Sequence, residues 1–337
     1  MLWDKIKDLA FDVGDVTTTV SAMAISPEFE RRTTTVRIGD GAGEDVTYDP
    51  AEHEPSKFPS VDLSGSWTLE SFSRRLDGID LFPNGEPGQA AYRDYRRWAF
   101  ESAALDCALR ANGLNVAEAL GLEPQPVRFV SSNRSFEPWL ELYPDLRFKL
   151  DPTPEWTDEL VARLAAKCVL DVADLKGQYH DTPVDNPPDA ALYRRVAEAF
   201  PEAWIEDPAL TEETDAVLEP HRERVTWDAP IHSWVDVDRL PFRPRCLNSK
   251  PSRFGKLERL LEFYERCGAS GISLYGGGQF ELGVGRGQIQ ALASLFHADS
   301  PNDVAPGGYN AREPQPGLET SPLAPKLERF GFRRTLG

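Results

Sequence analysis

Ala203-Trp204-Ile205-Glu206-Asp207-Pro208 and Arg224-Val225-Thr226-Trp227-Asp228 are short apolar runs that each end in acid. Asp228 lies 22 positions after Glu206, and Lys250, closing Arg245-Cys246-Leu247-Asn248-Ser249-Lys250, lies 22 positions after Asp228. That interval is close to one strand-helix unit of a barrel, where functional groups come from the C-terminal ends of successive strands. Toward the N-terminus, Val169-Leu170-Asp171-Val172-Ala173-Asp174-Leu175-Lys176 adds an acid with a lysine two residues on, and Leu146-Arg147-Phe148-Lys149 adds a lysine. The strand ends then read lysine, acid, acid, acid, lysine. Taken singly, each acid is as well explained as a helix cap or surface residue. The repeated interval and the flanking lysines favour one shared mouth.

Around this stretch the chain divides by pattern. Residues 1–124 read as an α+β unit, and 125–313 as alternating strands and helices, which implies parallel strands joined by right-handed crossovers. Residues 314–337 form a tail that returns over the first unit, and Pro124-Gln125-Pro126 marks the boundary. In the first unit, Thr17–Val20 and Arg32–Ile38 are β-branched strands, Gly39–Asp45 is a turn closing a hairpin, and residues 50–60 form a loop. Tyr92–Asn112 has helical periodicity and stops at Gly113. In the second unit, Val127–Ser131 is the first strand, and Thr153-Pro154-Glu155 starts a helix with Trp156, Leu160 and Leu164 inward. Another helix spans about 188–200, Ser252 caps a third that Gly268 ends, Gly271–Tyr275 is a buried strand, and Gln288–Phe296 is the last helix.

The 337 residues are 40% hydrophobic, with eight Trp and 17 Phe, enough for a large core. No apolar run reaches the roughly 18 residues of a membrane span, and charge appears too early for a secretory signal, so a cytoplasmic protein is expected. A net charge of −18 argues against nucleic acid or an anionic membrane as partner. Cys107, Cys168, Cys246 and Cys267 are scattered and read as reduced thiols rather than a metal or disulfide set.

Three clustered carboxylates, Asp174, Glu206 and Asp228, repel one another unless a pKa rises or a cation intervenes. An all-oxygen set suits Mg²⁺, or Mn²⁺ in its place. Lys149 and Lys250 stand on flanking strands, where crowding by cations or desolvation can bring an amine into the range of a general base. A proton beside a carboxylate is weakly acidic, and its removal needs a positive centre such as Mg²⁺. Elsewhere, Gly283-x-Gly285-x-Gly287 lacks the setting of a dinucleotide fingerprint, and His180 and His232 are better explained as loop and cap residues. Glu281, inside a glycine-rich turn, is the stronger candidate for the site.

The chain resembles the enolase superfamily, in its muconate-lactonizing and o-succinylbenzoate synthase branch. The resemblance rests on Arg147-Phe148-Lys149, Trp204-Ile205-Glu206-Asp207-Pro208, Asp228-Ala229-Pro230-Ile231-His232-Ser233 and Leu247-Asn248-Ser249-Lys250-Pro251-Ser252-Arg253-Phe254-Gly255. Gly277–Gly287 is similar to that family's glycine-rich strand end and last helix, and Gly41-Ala42-Gly43-Glu44 to its capping domain. The resemblance implies an α/β fold, a modified TIM barrel (β/α)₇β with an N-terminal α+β capping domain. It also implies Mg²⁺ on Asp174, Glu206 and Asp228, and proton abstraction alpha to the carboxylate of a small substrate through an enediolate. Lys149 and Lys250 are the acid/base pair, and Arg147, Lys176 and Glu281 meet the substrate. Dehydration, cycloisomerisation and racemisation are all compatible, as is a homo-oligomer. Two departures stand out: Arg147 replaces a lysine, and Asp174-Leu175-Lys176 replaces Asp-x-Asn. Arginine there either holds the Lys149 pKa low or binds a carboxylate. Lys176 weakens the metal, contacts substrate or supplies the metal's charge, with Asp171 as fallback ligand; a lapsed, metabolite-sensing barrel and a metal-free enzyme are the rival readings. Substrate choice is expected to lie in loops 15–27 and 50–62.

Overall fold

The computed structural model describes residues 1–25, 29–180 and 182–335. Part of the 15–27 loop and the end of the 314–337 tail lie outside the described residues. The first unit has strands β1 (Ala10–Val13), β2 (Val16–Ala24), β3 (Glu30–Ile38), β4 (Gly41–Asp45) and β5 (Gly65–Thr68). β2, β3 and β4 form an antiparallel sheet, and β1 pairs with β5.

The expected turn at Gly39–Asp45 is mostly strand. Only Gly39 and Asp40 turn, with Gly39 at φ 54°, and β4 is buried along its length. Its glycines serve close packing: a Cβ on Gly41 or Gly43 would lie 2.2 or 2.1 Å from a carbonyl oxygen of the helix Tyr92–Ala111. That helix runs as its periodicity predicts.

The second unit has parallel strands β6 (Arg147–Leu150), β7 (Val169–Asp174), β8 (Trp204–Glu206) and β9 (Val225–Thr226) in that order, and a parallel pair β10 (Cys246–Ser249) and β11 (Ser273–Gly276). Asn248 N–H donates to Trp227 O at 3.0 Å and joins the two groups. Short bridges close the ring. Gly277 pairs with Asp303, Phe129 with Asn302, and Ser131 with Phe148 of β6. The side chain of Asn302 accepts the Gly276 N–H at 2.6 Å, while its carbonyl accepts the Val130 N–H at 2.8 Å. One residue thus ties the last strand to the first, and the barrel expected from the sequence is present.

Helix ends differ from expectation where a better cap was available. The helix placed at Thr153 starts at Asp158, because the Thr157 hydroxyl accepts the Leu160 N–H at 3.2 Å. Ser252 does not cap a long helix. It sits in a short one, Pro251–Phe254, which Gly255 at φ 64° interrupts before Leu257–Ser270 begins. That helix passes Gly268 and stops at left-handed Gly271. The last helix begins at Val284, not Gln288.

The early start has a cause in the other unit. Glu44, on β4, is buried and accepts the N–H groups of Leu282, Gly283 and Gly285 at 2.7, 2.9 and 2.8 Å. A carboxylate from the first unit therefore caps a helix of the barrel. No described helix is long and apolar enough to cross a membrane.

Glu44→Ala is expected to lose about 3 kcal/mol, since it strands one buried and two part-buried N–H groups. Urea unfolding followed by circular dichroism reads this, and an unchanged midpoint contradicts the cap. His297 offers a pH test of the closure. Its Nδ1 lies 2.7 Å from Asn302 Oδ1, and burial pushes its pKa down from 6.5 to about 4. The unfolded chain therefore binds the proton first, so this contribution is present above pH 6.5 and is lost as pH falls toward 4, by up to about 3 kcal/mol. Between pH 7 and 4.5, His297→Gln should lose less stability than the native chain; equal losses contradict this.

Candidate active site

Strand register places the charges. Asp174 and Glu206 are direct partners at the ends of β7 and β8, and Glu206 is level with Thr226, two residues before Asp228. Lys149 on β6 is level with Val172, one layer below Asp174. Around the closed ring, β6 and β10 stand on opposite sides, so Lys149 and Lys250, which follows β10, face each other across the mouth. Both line a cavity of about 370 Å³, with Lys176, Arg286, Arg312 and Tyr48 among its other walls.

Four buried carboxylates meet beneath this cavity, and four cations oppose them. Lys149 Nζ lies 2.5 Å from Glu206 Oε1 and 3.3 Å from Asp174 Oδ2. Lys176 Nζ contacts the same Asp174 oxygen. Lys250 Nζ lies 2.8 Å from Asp228 Oδ2, and Arg253 Nη1 lies 2.9 Å from Asp228 Oδ1. The fourth acid, Asp207, has φ 50°, which turns its carboxylate onto the N–H groups of Asp228 and Ala229 at 2.8 and 2.9 Å. Strained backbone of this kind collects at functional sites.

Burial raises every one of these acids, and the cations decide which stay ionised. Burial alone would raise Asp174, but Lys176 and Lys149 outweigh it and hold the pKa at about 2. Arg253 and Lys250 likewise hold Asp228 below the usual range against burial. Glu206 goes the other way: burial, with Asp174, Asp228 and Asp207 nearby, outweighs Lys149 and pushes it well up. Asp207 is pushed up to about 7 by burial and by Asp228. Tyr275, raised by burial and by Glu206, keeps its proton and donates it to Glu206 Oε2.

Several expectations need correction. Burial lowers Lys149, but Glu206 and Asp174 more than reverse this, so its pKa is raised and not lowered. Arg147 cannot hold it down, because its guanidinium lies on Asp171, with Nε 2.6 Å from Oδ2. Asp171 is the extra residue of a bulge opposite Phe148 and Lys149, which turns it to Arg147 and away from the acid cluster. Neither Arg147 nor Asp171 lines the cavity. Glu281, expected to meet the substrate, does not line the cavity and contacts Arg286 at 3.2 Å. His180 is exposed beside Asp185, and His232 is held by the carbonyls of Arg253 and Ala229; neither lines the cavity. The first unit contributes Ala24, Ile25 and Tyr48, and nothing from residues 50–62.

The donors suit a hard divalent cation. Asp174, Glu206 and Asp207 offer oxygens within 4.8 Å of one another. Both oxygens of Asp207 are already committed to backbone N–H groups, whereas Asp228 Oδ1 is buried with no hydrogen bond, its contact with Arg253 being misaligned for one. Asp228 lies outside that 4.8 Å group and its Oδ1 has Arg253 Nη1 at 2.9 Å, but with no aligned hydrogen bond it is the buried carboxylate oxygen with capacity left for a metal. Asp207, Arg253, Tyr179 and Tyr275 were not singled out from the sequence. Asp207 and Arg253 lie inside quoted motifs, but nothing in their spacing shows which way they turn.

Comparisons with known proteins bear on the family and the fold. The "Domain of unknown function (DUF8230)" N-terminal domain matches residues 4–119 and its C-terminal domain residues 123–311. An o-succinylbenzoate synthase of Bacillus subtilis (strain 168) is 26% identical over 224 residues, which cover 61% of this chain and 57% of that relative. The match thus spans little more than half the relative's length. The structure of a muconate lactonizing enzyme superposes with TM-score 0.61 at 18% identity, covering 87% of each chain. A dipeptide epimerase from Methylococcus capsulatus, complexed with Mg ion, gives TM-score 0.62 at 17% identity over 90% of this chain and 92% of that one. At such identities the likeness shows a shared fold.

Lys149→Met leaves Glu206 and Asp174 without the cation between them, and should cost about 3 kcal/mol at neutral pH. Lys149 is what holds the raised Glu206 pKa down, so without it the variant takes up the Glu206 proton at higher pH than the native chain, and the defect should narrow as pH falls. Thermal melts across pH check this, and a pH-independent defect contradicts it.

Proposed function

This chain belongs to the DUF8230 family and carries the fold of the enolase superfamily, and on that premise we propose that it is a lyase or isomerase removing a proton alpha to a substrate carboxylate. The observation that carries this is the pair of lysines facing each other across one mouth above a balanced carboxylate cluster. We read the chain as a capping unit (1–124), a barrel (125–313) and a returning tail (314–337).

A small carboxylate entering the cavity meets Lys176, Arg286 and Arg312, local positive charge in a chain of net charge −18. Lys250 takes the proton from one face, after giving its own to solvent through the cavity it lines, and Lys149 is held protonated by Glu206 and Asp174 to serve as the acid on the other. Asp174, Glu206 and Asp228 are the residues that would hold Mg²⁺. Bound there, it would supply Lewis-acid charge for the carboxylate as the proton leaves. Asp207 fixes the turn that presents Asp228, and Tyr275 fixes Glu206. Tyr48, Ala24 and Ile25 line the cavity from the first unit. The resemblance to the synthase and the dipeptide epimerase suggests o-succinylbenzoate-type acids and dipeptides as first substrates to try.

With those compounds in D₂O and Mg²⁺, proton NMR should show deuterium entering the alpha position. Lys250→Ala should slow this at least about 100-fold. Exchange that persists at the native rate in both Lys250→Ala and Lys149→Ala would falsify the assignment.

A further inference from the structure

We propose that Lys176 is a built-in competitor of the metal: its ammonium holds Asp174 in the absence of a divalent cation and must leave before one can bind. The proposal rests on reading Asp174, Glu206 and Asp228 as the metal site. Lys176 stands at φ 57°, a left-handed conformation that few side chains other than Asn and Asp tolerate. Its neighbours hold it there. Asn186 N–H donates to its carbonyl at 3.2 Å, and the Gly177 N–H donates to Asp207 O at 2.8 Å. A Cβ at Gly177 would lie 2.3 Å from Ala209 N, so this turn lies flat on the next loop.

The curl brings both ends of Lys176 onto one carboxylate. Its backbone N–H donates to Asp174 Oδ1 at 3.2 Å, and its ammonium contacts Oδ2. Lys149 Nζ lies 3.3 Å from that same Oδ2. Metal–oxygen bonds for Mg²⁺ are about 2.1 Å, so an ion on Oδ2 would press against two ammonium groups. Lys149 has Glu206 to retain it, whereas Lys176 has somewhere to go. Its Nζ is already 3.5 Å from Asp151 Oδ1 and 4.9 Å from the Tyr179 ring centre, and the residue lines the cavity. Displacement is therefore costly but open, and it moves the ammonium toward an incoming anion.

The test is Mn²⁺ binding, measured by titration calorimetry and by loss of the free-ion electron paramagnetic resonance signal, on the full chain without substrate. Lys176→Gly suits the left-handed backbone and adds no ligand; Lys176→Asn suits it too but can add one; Lys176→Arg keeps the cation. Both Lys176→Gly and Lys176→Asn should bind Mn²⁺ at least about tenfold more tightly than the native chain, and Lys176→Arg should show no gain. Circular dichroism confirms that each variant is folded, and Lys176→Ala, which also adds no ligand, takes the place of Lys176→Gly if the latter is not. Native and Lys176→Gly affinities within about twofold overturn the competition and leave the metal site standing. A gain in Lys176→Asn alone also overturns it, since a new ligand then explains the gain. If no folded variant binds Mn²⁺, the metal reading fails and the competition with it.

Discussion

Four carboxylates buried under one barrel mouth, each at most 1% exposed to solvent, must be neutralised by the chain or by something it binds. Most of the site follows from this. Lys149, Lys176, Lys250 and Arg253 each reach an acid, and Tyr179 and Tyr275 donate hydroxyl protons to what remains. Removing one partner from such a cluster costs more than the net value of the pair, because it leaves an uncompensated charge in low dielectric. The cations are consequently not interchangeable ornaments of the mouth. The backbone bends to the same constraint. All three described non-glycine residues with positive φ, Lys176, Asp207 and Phe280, follow strand ends at this mouth.

The first unit is bound into this arrangement and does more than cover it. Arg31, fully buried on β3, donates to Val46 O at 2.7 Å within its own unit and to Gln279 O at 2.8 Å in the barrel. Glu44 caps the last barrel helix, and Tyr95 accepts from Gln279 Nε2 at 3.0 Å. These contacts converge on the loop after β11, which carries Gly278, Phe280 and, through Glu281, Arg286. A shift of the capping unit would therefore move the cationic wall of the cavity.

Much of the fold was legible because a parallel strand is a short apolar run whose end carries the chemistry. The positions of Lys149, Asp174, Glu206, Asp228 and Lys250 could be read from run length and terminal charge. Their partners could not. Arg147 stands where the resembling family has a lysine, but its guanidinium lies on Asp171, the extra residue of a bulge that composition does not reveal. Asp207 reads as the start of an Asp-Pro turn, and only its left-handed conformation reveals that its carboxylate anchors Asp228. Gly41 and Gly43 looked like turn residues, when their role is to let a helix approach the strand. Arg286 and Arg312 lie in a helix and a late loop whose distance from the mouth depends on how the ring closes through Asn302.

The central claim is that the acids form a metal cage with an amine on either side of the substrate. Crystals soaked in high Mn²⁺ with a small carboxylate, measured at the manganese absorption edge, test it most directly. The account predicts one anomalous peak bounded by Asp174, Glu206 and Asp228, with the carboxylate in the cavity between Lys149 and Lys250. A peak elsewhere, or a carboxylate bound outside that cavity beside an unchanged ion-pair cluster, would contradict it.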